Sequence, residues 1–133
     1  MNRQMLNNAL ALARRLGHVF VATASADGTP HVTAALELAG GQDGTVTVAG
    51  WFCPGTVANL RANSRVSLTV WDRGEDDGYQ ILGQVQSAEP VAIMDGYDPE
   101  LEKRPMPQVE RQLHVRVEKV LRFTHAPHTD VEE

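Results

Sequence analysis

Cysteine is almost missing from this chain of 133 residues. Cys53 stands alone, which excludes an internal disulfide and fits a reducing compartment. Positive charge is also short, since 12 Lys and Arg against 17 Asp and Glu leave a formal net charge of −5. The basic residues are scattered, so the positive face required by a nucleic-acid partner is not provided. No apolar run approaches the roughly 20 residues that cross a bilayer. Asn7, Asn8 and Arg14 interrupt the N-terminal apolar residues that a signal peptide would keep continuous. Nothing directs the chain out of the cytoplasm, which is its expected location.

Familiar catalytic signatures are missing too. There is no Gly-x-Ser-x-Gly elbow, no Walker lysine and no dinucleotide glycine fingerprint. His18, His31, His114, His125 and His128 are dispersed, and no cysteine or carboxylate cluster accompanies them, so no metal is expected. Glu75, Asp76 and Asp77 form a solvated acidic turn. Asp95, Asp98, Glu100 and Glu102 lack the alternation and central glycine of a calcium loop.

What remains is a compact, patterned chain. A hydrophobic fraction of 42% supports a packed core, and the length suits one domain spanning 1–133. Met5, Leu6, Ala9, Leu12, Ala13 and Leu16 recur at helical spacing, and Gly17 suits a left-handed stop, which places a helix over 1–17. Six strands follow over 18–123: HVFVATAS, HVTAALEL, TVTVAGWF, SRVSLTVWD, YQILGQVQSAEPV and LHVRVEKVLRF. Asp27-Gly28 marks a hairpin turn, and AGGQDG a second. Residues 94–112, with Pro99, Pro105 and Pro107, read as an irregular excursion with at most one short helix. The tail from Thr124 reads as flexible. Connections this short cannot supply the crossovers of a parallel sheet. The fold class is therefore mainly β, an antiparallel barrel with a few helices.

The stretch TVTVAGWFCPGTVANLRAN carries the chemistry. A strand enters a turn and a short helix follows at once, with Cys53 or Thr56 as N-cap and Pro54 in the first turn. Unpaired amides at such a helix start hold phosphate. Gly55 permits close backbone approach, and the Thr56 hydroxyl adds a donor. A capped helix without a ligand accounts for the same residues. Trp51 reads as a core side chain that also stands beside the proposed phosphate turn. Cys53 reads as an inert buried thiol, although a helix start lowers thiol pKa values in general.

The order of elements, from HVFVATASADGTPHVTAAL through VTVAGWF to PGTVANLRANSRVSLTVWD, resembles the FMN-binding split barrels related to pyridoxamine 5'-phosphate oxidase. The likeness covers residues 17–123 and looks nearest to the small single-domain members. It implies a six-stranded antiparallel split barrel and a homodimer with FMN at the subunit interface. On that resemblance, Thr33, Ala34 and Ala35 run along the isoalloxazine ring, and Ala49, Gly50, Trp51 and Phe52 meet the ring and ribityl chain. Cys53, Pro54, Gly55 and Thr56 form the phosphate turn, and Gln80 lies near a cofactor-contacting position.

Two departures from the family pattern matter. Many relatives carry Arg or Lys in the turn where Pro54-Gly55 stands, and losing that cation removes about 1.5–3 kcal/mol of charge-assisted hydrogen bonding. Arg61, further along the helix, is the compensating candidate. The C-terminal substrate motif of the true oxidase is missing from RFTHAPHTDVEE, so vitamin B6 oxidation is not expected. The implied function is an FMN-dependent oxidoreductase or electron carrier whose substrate and electron donor are open. The alternatives are a split-barrel dimer binding deazaflavin or haem, or a cofactor-free structural or regulatory dimer.

Overall fold

A computed structural model of the chain describes residues 1–51, 53–93, 109–125 and 128–129. Helix α1 (Arg3–Leu16) begins where the Asn2 side chain accepts the Met5 N–H at 3.0 Å and ends at Gly17, whose φ of 77° is left-handed. Its apolar stripe of Met5, Leu6, Ala9, Leu12 and Ala13 is buried, as the spacing requires. Fully burying one such leucine is worth about 1.5–3 kcal/mol. Flanking that stripe, Arg15 reaches Asp72 at 2.8 Å and ties α1 to the sheet.

The strands are β1 (Val19–Ala24), β2 (Pro30–Ala35), β3 (Glu37–Gly40), β4 (Thr45–Trp51), β5 (Arg65–Asp72), β6 (Asp77–Ile93), β7 (Val109–His125) and the two-residue β8 (His128–Thr129). They form an antiparallel sheet in the order β2-β1-β5-β6-β7-β4-β3, with β8 paired to β7. The expected strand HVTAALEL is split at Leu36. Its first half pairs with β1 (Val19↔Ala35) and its second with β4 (Leu38↔Val48). Those halves stand at opposite ends of the strand order, so this one change of neighbour curls the sheet into a barrel. The barrel therefore has seven strands where six were expected. The Leu36 N–H donates to the Gly50 carbonyl at 3.2 Å across the junction.

Alternation fills the interior. Val19, Val21, Val46, Val48, Val66, Leu68, Val70, Ile81, Leu113 and Val115 are all buried. Along β7 the alternation slips by one residue, because the register passes from Leu82↔Lys119 to Gly83↔Val117 and leaves Glu118 as an extra residue. Val117 and Val120 are consequently both buried, which a strict period of two does not allow. Residues 109–112, expected in the irregular excursion, belong to β7 instead, because they pair with the last part of β6. The remainder of that excursion, 94–108, lies outside the described residues. Thr124 and His125, expected in the flexible tail, pair with β8 instead, and 130–133 lie outside the described residues.

The β1–β2 turn holds one titration-sensitive feature. Gly28 takes φ of 89°, and Asp27 accepts hydrogen bonds from the Ser25 hydroxyl, the Thr29 hydroxyl and the Thr29 N–H. These donors, Ser25 foremost, lower the Asp27 pKa to about 2. A folded pKa below the unfolded one means the stabilisation is complete above about pH 4 and is lost as pH falls through about 2. Asp27→Asn should therefore melt below the wild-type protein at neutral pH, and the two melting temperatures should converge near pH 2.

Candidate functional site

Helix α2 (Pro54–Ala62) follows β4 and packs against β1 and β2 at the mouth of the barrel. Cys53 is its N-cap, with φ −87° and ψ 102°, and makes no side-chain capping bond. Pro54 has no N–H to satisfy, and the Val57 N–H already bonds the Cys53 carbonyl. The amides of Gly55 and Thr56 are thus the donors this helix start presents. Inside the mouth, Asn59 donates to the Thr23 hydroxyl at 3.1 Å, and the Thr56 and Thr33 hydroxyls stand 3.4 Å apart. A Cβ added at Gly55 would lie 3.4 Å from His31 Nε2, so the imidazole rests directly against the turn.

The structure brings some predicted residues together and separates others. Thr33, Ala35, Trp51 and Thr56 lie on the inner side, with Ala35, Trp51 and Thr56 buried. Ala34 and Gln80 occupy the outer face, in one cross-strand row: Ala34↔Phe20, Phe20↔Thr69, Thr69↔Gln80. Side chains alternate along a strand, so Thr33, Ala34 and Ala35 cannot all present theirs to one ring, although their backbone can. Gln80 donates to Ser67 at 2.8 Å, beside an outer-face groove of about 350 Å³ lined by Ala22, Ala24, Ser67 and Leu82.

Ala49 and Gly50 end β4 half-buried, and Gly50 has φ of 75° with no room for a side chain, since its Cβ would stand 2.9 Å from that of Leu36. Cys53 is half-buried and Pro54 and Gly55 are exposed. Phe52 lies outside the described residues. The Thr56 hydroxyl, expected to face an anion, faces Thr33 because the residue is fully buried, which leaves its backbone N–H for that task.

Arg61 stands six residues beyond Gly55, roughly 9 Å along the helix axis. It lines a separate groove with Arg111. The basic side chain beside the Cys53–Thr56 turn is His31, which sequence reasoning passed over because β2 is remote from α2 along the chain. The available signal was its period of two with Thr33, which puts both on the strand face that meets α2.

The start of α2 is uncapped by side chains, Gly55 leaves open backbone beside an imidazole, and among the described residues β2 has no strand on its outer edge. In addition, the Trp51 indole N–H is buried and makes no hydrogen bond among the described residues. A buried donor without an acceptor costs about 1–3 kcal/mol, so natural chains keep few of them. These residues fit a ligand that carries an anion at one end and polar acceptors at the other. Among the described residues, no group of His, Cys, Asp or Glu has the arrangement to hold a metal ion, and no helix is long and apolar enough to cross a membrane.

The family model of pyridoxamine 5'-phosphate oxidase matches residues 6–122. The chain belongs to that family. Its fold is shared with an FMN-binding protein related to pyridoxamine 5'-phosphate oxidase from Nostoc punctiforme (TM-score 0.66, 11% identity, covering 96% of this chain and 88% of that one). It is shared also with HupZ of Group A Streptococcus (TM-score 0.65, 15% identity, covering 100% and 98%). An F420 reductase has the same fold at 20% identity (TM-score 0.59, covering 83% and 93%). No curated protein matches the chain. In this split barrel, α2 occupies the mouth between the free edge of β2 and the end of β4.

Proposed function

We propose that this member of the family is an FMN-binding homodimer acting as an oxidoreductase or electron carrier. The observation that carries the reading is the uncapped start of α2, with Gly55 bare and His31 against it. The Gly55 and Thr56 amides and the His31 imidazole hold the phosphate. The backbone of Thr33–Ala35 and of Ala49–Trp51 borders the ring. When bound, FMN supplies acceptance and release of an electron pair, so the protein's share of the work is to position the ring and shield it from water. That division of labour explains a site without an obvious acid, base or nucleophile.

Dimerisation is part of the same proposal. Phe20 is 44% exposed, Val32 61% and Leu36 64%. Phe20 and Val32 share the outer face with Ala22 and Ala34, an apolar surface suited to a second copy. A twofold axis then creates two equivalent sites. Deazaflavin is the second reading. It is favoured by the lack of Arg or Lys in the Cys53–Thr56 turn and by the shared fold of an F420 reductase.

The test is the absorbance spectrum of desalted protein after loading with FMN, together with its mass by light scattering. Bands near about 370 and 450 nm on a dimer are expected for a flavin-bound protein. A colourless monomer overturns the proposal, and retention of deazaflavin alone selects the second reading.

A further inference from the structure

Beside α2, away from its N-terminus, the sheet opens. β5 stops pairing with β6 at Arg65↔Gln84, and the Val85 N–H turns to the Ser64 carbonyl at 2.8 Å. One residue later the β6–β7 register shifts between Val85 and Ser87, so Gln86 is an extra residue in a bulge. Bulges of this kind re-aim side chains and end pairing. The opening is a groove of about 270 Å³ between α2 and this part of β6. Val57, Leu60 and Ala88 supply an apolar wall, and Gln86, Ser87, Arg61 and Arg111 supply polar groups.

The charge in this groove is anomalous. The protein carries five more acidic than basic residues, yet among the described residues two guanidiniums line one groove and no carboxylate does. Two other arginines are paired with acids, Arg15 with Asp72 and Arg122 with Asp77. The acid nearest in register, Glu89, is directed to His114 at 3.7 Å. Two like charges held in one concavity repel each other, and an oxyanion between them removes that cost. Guanidinium also favours forked recognition of carboxylate and phosphate oxygens. The carriers are rigid, since Arg61 is on a helix and Arg111 pairs with both Trp51 of β4 and Pro90 of β6.

We infer that this groove binds a small organic anion, a phosphate monoester or a carboxylate on an apolar body, at a site separate from the flavin. Arg61 and Arg111 grip the oxyanion, Ser87 and Gln86 complete its hydrogen bonds, and Val57 and Leu60 cover the apolar part. The inference does not use the cofactor, and Arg61 lies roughly 9 Å along the helix axis from the start of α2.

Calorimetric titration with phenyl phosphate, benzoate and inorganic phosphate, on the FMN-loaded and the unloaded protein, tests it. Phenyl phosphate or benzoate should bind with one site per chain, more tightly than inorganic phosphate, and the choice between the two identifies the oxyanion. Arg61→Gln and Arg111→Gln should each weaken binding roughly tenfold or more, the scale of one charge-assisted hydrogen bond. Arg111→Lys keeps the charge and should recover part of the loss, with circular dichroism checking that each variant is folded. No binding by either organic anion overturns the inference. So does displacement of phenyl phosphate by stoichiometric FMN, which would make the groove part of the flavin site.

Discussion

FMN titrated into Gly55→Asp protein should remain free at concentrations that saturate the wild-type protein, with the flavin fluorescence unquenched. The substitution places a carboxylate where the α2 amides converge and where His31 supplies the only nearby basic side chain among the described residues. Two unit charges about 4 Å apart interact by about 4 kcal/mol at a surface-like dielectric of about 20, and a phosphate dianion doubles the opposition. Loss of affinity by at least about a hundredfold is the conservative expectation, equal to about 2.7 kcal/mol. The fold should tolerate the change. Gly55 does not need positive φ, and an added Cβ meets only the far end of the His31 ring at 3.4 Å. Gly55→Ala separates charge from bulk and should bind FMN far better than Gly55→Asp. Equal binding by Gly55→Asp and wild-type protein would remove α2 from the cofactor site.

The largest effect on stability is expected from Gly83→Ala. At this residue β6 passes the Glu118 bulge of β7, and a new Cβ would stand 2.4 Å from the Arg116 carbonyl oxygen and 2.8 Å from Val115 Cγ1. The oxygen belongs to the backbone of a paired strand, so relief requires shifting the β6–β7 ladder that runs through the centre of the sheet. Overpacking of this kind costs about 1–3 kcal/mol and sometimes more. The upper end is expected here, with a melting temperature lower by roughly 10 °C. Gly78→Ala is the control. Its Cβ would meet the Phe123 ring at 2.5 Å, but a side chain at the end of a strand can turn aside at lower cost. Thermal melts of the two variants should therefore rank Gly83→Ala well below Gly78→Ala. The reverse order would mean that the bulge adjusts freely.

Local patterns in the chain were enough for much of this protein. The α1 stripe, its Gly17 stop, the Asp27-Gly28 turn and the alternation of Val66, Leu68 and Val70 rest on neighbours within a few residues, and all took the expected form. The α2 segment was also legible, because Cys53, Pro54 and Gly55 are consecutive and a helix start depends on consecutive residues. The break at Leu36 was not. HVTAALEL is continuous in β propensity, and only its distant partners, β1 for one half and β4 for the other, divide it. The slip at Glu118 was hidden likewise, since a bulge is defined by the strand opposite.

The sequence by itself determined most of the elements, the antiparallel barrel class and the turn suited to an anion. Only the tertiary structure decided which side chains meet there. It set His31 against Gly55, buried the Thr56 hydroxyl against Thr33, and put Arg61 and Arg111 along one groove. The physical reason is range: periodicity and capping are settled within a turn or a strand, whereas those meetings depend on how a curled sheet closes.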